Sequence, residues 1–175
     1  MKRLPVVAVI GASSAEPEVL EIAAAVGEEI ARRGWHLICG GGGGVMEAAC
    51  RGFQSGQPAG GSSNLALGVL PGEDAGWAND HVDIVVPSGI GIARNAVITR
   101  TANAVVAVGG CSGTLSEIAF AWQQGRPIVA MAGTGGWAEE LAGRAVDGRR
   151  EDRVFAAGSA AEAGEHIDRI LGAGS

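Results

Sequence analysis

Lysine is almost missing from this sequence. Lys2 is the single example among 13 basic residues, so no ε-amino group accompanies any later motif to form a Schiff base with a carbonyl cofactor. Cysteine is scarce as well. Cys39, Cys50 and Cys111 are too few and too irregularly spaced for a disulfide framework or a zinc cluster, and a reducing, cytoplasmic setting is expected. Positive charge is outweighed, with a net charge of −6, so broad attraction to nucleic acid or an anionic membrane is not expected. Any anion must instead be held by local donors. No stretch approaches the ~18 consecutive apolar residues of a membrane span. Met1, Lys2 and Arg3 before the apolar run Leu4 to Ile10 imitate a short secretion signal. The run is at the lower limit of length for one, and it reads as a first buried strand.

What is present points to a folded α/β domain. The chain has 175 residues, 47% of them hydrophobic, enough for one well-covered core over residues 1–175. Its 30 glycines against 6 prolines follow no collagen-like period. They collect just after apolar runs, where strands hand over to helices. Strands are expected at Leu4–Ile10, Trp35–Cys39, Leu65–Leu70, Val82–Val86, Ala104–Val108 and Pro127–Met131, with a short last one at Arg153–Ala156. Helices are expected between them, with Val19, Val26 and Ile30 on one face of the first and Leu115, Ile118 and Trp122 on one face of a later one. Ser13 with Glu16 forms a candidate capping box, as do Thr114 with Glu117 and Ser159 with Glu162. Continuous apolar strands alternating with helices indicate a doubly wound, Rossmann-like parallel sheet of six or seven strands, with helices on both faces.

In such a sheet, ligands lie outside the carboxyl ends of the strands. Three turns reach that edge: Gly11 to Ser14, Gly40 to Gly44 and Gly109 to Thr114. Without a Cβ, backbone N–H groups approach a phosphate closely, and a helix N-terminus favours its charge. Glycine alone also serves merely to turn a chain, but three such turns on one edge favour an anion site. Gly11, Ser13, Gly41, Gly42, Gly44, Met46, Gly109, Gly110, Ser112, Gly113 and Thr114 are the candidate ligand contacts. The dinucleotide pattern is absent, because the first turn reads Gly-Ala-Ser-Ser-Ala and Cys39 and Gly40 stand where a ribose-binding acid belongs. The Gly-Lys-Ser/Thr phosphate loop is absent too.

Two charged residues join this edge. Arg94 starts a helix, where the dipole disfavours a cation unless an anion offsets it; Asn95 beside it can serve a base or sugar. Glu117, one turn into its helix, caps that helix or places a carboxylate beside a bound phosphosugar. His36, His81 and His166 lack metal spacing and read as surface or strand-end residues, so no metal site is expected. Trp35, Trp77, Trp122 and Trp137 read as core or interface, and Arg144, Arg149, Arg150 and Arg153 as a solvated loop.

Cys39 to Ala49, Ala93-Arg94-Asn95-Ala96 and Gly109-Gly110-Cys111-Ser112-Gly113-Thr114-Leu115-Ser116-Glu117 occur in that order. Together they resemble the Lonely Guy (LOG) superfamily, often labelled as lysine decarboxylases, and within it the branch of molybdenum cofactor carrier proteins. The resemblance runs from the first strand to about Met131. It implies either of two roles. One is a binding or carrier protein for a phosphorylated nucleotide or pterin, molybdenum cofactor being the named cargo and no other cofactor being required. The other is a nucleoside 5′-monophosphate phosphoribohydrolase releasing base and ribose 5-phosphate, in which Arg94 and Glu117 match the catalytic pair. It also implies a homodimer or homotetramer. Asn95 in place of the enzymes' lysine, Glu47 in place of a glycine and Val108 in place of a proline fit the carrier branch better. The decarboxylase label lacks its lysine.

Overall fold

The computed structural model describes residues 3–172; Met1 and Lys2 lie outside them. Seven strands form one wholly parallel sheet. In chain order they are β1 (Val6–Gly11), β2 (His36–Cys39), β3 (Ala66–Leu70), β4 (Ile84–Pro87), β5 (Ala104–Val108), β6 (Ile128–Met131) and β7 (Phe155–Ala157). Their spatial order is β4-β3-β2-β1-β5-β6-β7. The chain thus winds outward from β1 in one direction, returns to the middle, and winds outward in the other. The crevice at which direction reverses lies between β1 and β5, whose last rung pairs Gly11 with Val108.

Six α-helices cover the sheet: α1 (Pro17–Arg32), α2 (Val45–Ser55), α3 (Arg94–Thr101), α4 (Ser112–Gln123), α5 (Gly136–Leu141) and α6 (Ala160–Gly172). Alternation along the buried strands divides their side chains between two cores. Val7 and Val9 of β1 face α1, α2 and α6, together with Val26, Ile30, Phe53 and Ile167. Ala8 and Ile10 face the other way, with Ile98, Ile118, Trp122 and Ala138 from α3, α4 and α5. Among the described residues no helix is long and apolar enough to cross a membrane.

Several local expectations change. Ser13 and Glu16 form no capping box: α1 starts at Pro17, Glu16 is its cap residue, and no side chain caps it. Proline at the first helical position fixes a helical φ and lacks the N–H that a cap would satisfy. Ser13 and Ser14 are therefore left outside the helix. Ser159 does cap α6, accepting from the Glu162 N–H at 3.2 Å. Arg150 is not merely solvated. Its guanidinium sits 4.5 Å from the centre of the Trp122 ring and donates to the carbonyls of Trp122 and Arg126. Trp35 and Trp122 are core residues, whereas Trp77 is 78% exposed.

The α1–α2 contact depends on two glycines with no turn to make. A Cβ on Gly27 would lie 1.9 Å from the Ala49 carbonyl oxygen, and one on Gly52 would lie 1.9 Å from that of Ala24. Both neighbours are helix backbone and cannot swing aside. Replacing glycine by alanine inside a helix ordinarily gains about 1 kcal/mol. Here overpacking outweighs that gain. Gly52→Ala is expected to cost about 3 kcal/mol, with Gly125→Ala, in open space but at a φ of +70°, as a milder comparison. Urea unfolding of the two variants measures the difference.

Candidate functional site

The reversal of winding leaves a cleft at the carboxyl edge of the sheet. One lobe, of about 470 Å³, lies over the β1–β5 crevice and is lined by Gly11 to Ser14, Met46, Arg94, Asn95 and the start of α4, among others. A second lobe, of about 360 Å³, runs on between Gly40, Gly42 and the segment leaving β3. Ser13, Met46, Pro71 and Arg94 line both, so the two lobes form one bent cleft.

The start of α4 leaves backbone N–H groups uncapped at this edge. Cys111 is its cap residue and no side chain caps the helix, while Ser112 to Thr114 form its first turn. The first N–H groups of a helix have no partner inside it. Leu115 is the first to bond backward, to the Cys111 carbonyl at 3.0 Å. Thr114 is only 2% exposed, and its side chain lines the first lobe. Gly113 has a backbone conformation open to any residue and nothing within 4 Å of an added Cβ, and it lines the first lobe.

The turn before α4 is held from outside. The Gly109 N–H donates to the Thr134 hydroxyl at 2.9 Å, which in turn donates to the Met131 carbonyl at 2.7 Å. The Gly109 and Gly110 carbonyls accept from Ala138 and Trp137 at the start of α5. Gly110, at a φ of +101°, lies so close to Thr114 that a Cβ would clash at 2.4 Å. Gly109, Gly110 and Ser112 thus build the turn without lining the cleft. Gly41 and Gly44 also have positive φ and lie against the backbones of Gly68 and Ser13 respectively. They shape the second glycine turn and line neither lobe. Gly11, Ser13, Gly42, Met46, Arg94, Asn95, Gly113, Thr114 and Glu117 do line the cleft.

Of the charged pair, Arg94 lines both lobes and Glu117 lines the first. Arg94 donates to the carbonyl oxygens of Val69, at 2.6 Å, and Gly40, which lie near the end of β3 and just after β2. Asn95 is tied to α4, donating to Ser116 Oγ at 2.8 Å. Glu117 does not cap its helix: α4 begins five residues before it, and the carboxyl is buried in the cleft wall at 8% exposure. Burial pushes that carboxyl up to about 7, against a smaller opposing pull from Arg94. Burial likewise lowers Arg94, while Glu117 acts to raise it. The anion that offsets a cation at the start of α3 is therefore partly Glu117 itself, supplemented by two carbonyls.

Sequence reasoning overlooked Pro71, Gly72, Asp74 and Trp77 in the second lobe, and Thr134 behind the first. Leu70-Pro71-Gly72 leaves a strand at the same edge as the three glycine turns, which was the available signal. Glu47, which marks a departure from the enzymes of the superfamily, is exposed on α2 and lines neither lobe.

A wholly parallel sheet with a cleft at its reversal point, walled by glycine turns and a helix start, defines a Rossmann-like binding protein. Residues 4–163 match the SLOG cluster4 family, and the chain belongs to that family. The LOG-like resemblance in the motifs is thereby borne out. The fold matches the structure of the molybdenum cofactor binding protein from Rippkaea orientalis with a TM-score of 0.84, 31% identity, and coverage of 98% of this chain and 99% of that one. It matches the molybdenum cofactor carrier protein of Chlamydomonas reinhardtii with a TM-score of 0.82, 31% identity, and coverage of 97% and 99%. A cytokinin riboside 5′-monophosphate phosphoribohydrolase of Mycobacterium marinum is 32% identical over 120 residues, which span 65% of this chain and 59% of that protein.

Proposed function

We propose that this protein binds and carries a phosphorylated nucleotide-like ligand, with molybdenum cofactor as its cargo. The observation that carries the reading is the uncapped start of α4, which opens onto the first lobe through Gly113 and Thr114, with Gly113 leaving room for the ligand. A phosphate there meets helix N–H groups and the positive end of the dipole, as anions at helix starts do. The likeness to two proteins named for molybdenum cofactor supports the choice of cargo. Among the described residues no three histidine, cysteine or acidic side chains cluster as metal ligands do. What this chain offers is thus suited to the cofactor's phosphate and organic portion: backbone donors, the Thr114 hydroxyl and Arg94. The exposed apolar side chains Ile84, Val86, Ile90 and Val97 support self-association, which sedimentation of the purified protein measures.

A second reading, hydrolysis of a nucleoside 5′-monophosphate, is favoured by Glu117. A carboxyl held near 7 beside an arginine is suited to general acid–base work. One experiment separates the two. Purified protein is titrated calorimetrically with AMP, GMP and ribose 5-phosphate, and ribose 5-phosphate release is followed in parallel. Saturable binding without release is expected. Release at several turnovers per second would establish the hydrolase.

A further inference from the structure

The second lobe differs from the first in chemistry. Gly40, Gly42, Gly72, Met46, Leu70 and Trp77 are among the residues that line it. An added Cβ on Gly72 would meet nothing within 4 Å. The lobe is therefore open at Gly72 and has an indole among its lining groups.

Trp77 is anchored by its backbone and left free in its side chain. It ends a single 3₁₀ turn, Ala75–Trp77, which Asp74 caps by accepting the Gly76 N–H at 2.8 Å. Just beyond the turn, Asn79 ties it to the glycine loop: its backbone and side-chain N–H groups donate to the Gly41 carbonyl, and the side chain also donates to that of Gly42. Yet the indole is 78% exposed, and among the described residues it has no aromatic or cationic partner. An exposed, positioned indole beside a slot is a stacking surface for a planar ring.

Asp74 supplies the polar selectivity. One carboxylate oxygen holds the Gly76 N–H; the other receives no hydrogen bond from the described residues. An ionised carboxylate only accepts, and across its two oxygens it suits two adjacent donors. The ring edge that presents adjacent N–H and NH₂ donors is the 2-amino-4-oxopyrimidine, shared by guanine and pterin. Adenine presents a donor beside an acceptor.

We propose that the lobe lined by Leu70, Gly72, Asp74 and Trp77 receives a 2-amino-4-oxopyrimidine ring, stacked on Trp77 and held at its donor edge by Asp74. This rests on the reading above, with the phosphate at α4 and the ligand passing over Arg94, which lines both lobes.

Calorimetry with GMP, neopterin monophosphate, AMP and ribose 5-phosphate tests it. GMP and neopterin monophosphate are expected to bind roughly tenfold more tightly than AMP or ribose 5-phosphate. Trp77→Ala should remove most of the advantage over ribose 5-phosphate, leave the affinity for ribose 5-phosphate itself unchanged, and weaken AMP as well as GMP. Asp74→Asn keeps an oxygen for the Gly76 cap but introduces a donor, and should narrow the gap between GMP and AMP. The tighter of GMP and neopterin monophosphate identifies the ring's source. Equal affinity for all four ligands would overturn the ring site while leaving the phosphate site standing. So would a Trp77→Ala variant with altered sedimentation but unaltered affinities, which would make Trp77 a contact between copies. Failure to bind even ribose 5-phosphate would overturn the reading beneath it.

Discussion

Gly113→Val is expected to fold as stably as the wild type and to bind phosphorylated ligands at least a hundredfold more weakly. The two halves of this expectation have separate physical causes. Gly113 is the second residue of α4, its φ is not in the left-handed region, and a Cβ there meets nothing within 4 Å. Valine is disfavoured in a helix, but less so than glycine, so backbone propensity changes by only a few tenths of a kcal/mol. The added methyl groups instead enter the first lobe, beside the donors proposed to hold the phosphate. A phosphate displaced by even ~1 Å loses short, charge-assisted hydrogen bonds, each contributing about 1.5–3 kcal/mol. Losing two is enough for the hundredfold effect. Gly110→Val makes a useful contrast. Gly110 combines a φ of +101° with a clash against Thr114, so that variant should lose stability as well as binding. Thermal unfolding alongside calorimetry separates the cases. A stable Gly113→Val protein with unchanged affinity for AMP, GMP and ribose 5-phosphate would remove α4 from the site.

The strands and the three glycine turns were readable because their signals are local. Val7 to Ile10 and Ala104 to Val108 are unbroken apolar runs of strand length ending at glycines, the pattern of a strand buried on both faces. Boundaries that depend on distant partners were not readable. Gly109-Gly110-Cys111-Ser112-Gly113 reads as a loop, yet α4 begins inside it at Ser112. The early start moved Thr114 and Glu117 out of a capping box and into the cleft wall. Gly27 and Gly52 carry no local signal at all, since each matters only through a backbone in another helix. In sequence, Asp74 belongs to no motif and Trp77 reads only as core or interface. Only the bond pattern from Asn79 to Gly41 and Gly42 brings their segment against the glycine loop. The cleft's first lobe was thus legible as chemistry, and its second lobe only as geometry.

Glu117→Gln is expected to stabilise the protein at neutral pH and to flatten the pH dependence of ligand binding. The Glu117 carboxyl ordinarily titrates near 4.5, and burial lifts it to about 7 in the folded chain. Well above 7 it is ionised both folded and unfolded, and keeping the buried charge costs about 3 kcal/mol. Below 4.5 it is protonated in both states and that cost vanishes. Between these limits the native state holds a proton that the unfolded chain has released, so stability falls as pH rises. Glutamine resembles the protonated acid at every pH. The variant should therefore gain up to about 3 kcal/mol over wild type at pH 7.5 and nothing near pH 4.5, read from urea unfolding at both. Binding should follow the same group. An ionised Glu117 repels an anionic ligand, so wild-type affinity declines through pH 7 relative to the variant. Taking the ratio of the two affinities cancels the titration of the phosphate itself, whose second pKa is near 6. In the carrier reading these changes in stability and affinity are the whole effect. In the hydrolase reading the same substitution removes a positioned acid–base group, and ribose 5-phosphate release falls by ~10² or more while binding persists. The expected result is a more stable variant with a flatter binding profile and no ribose 5-phosphate release by either protein. Brisk AMP cleavage by the wild type that collapses in Glu117→Gln would decide for the hydrolase. A variant no more stable than wild type at pH 7.5 would show that Glu117 carries no buried charge there.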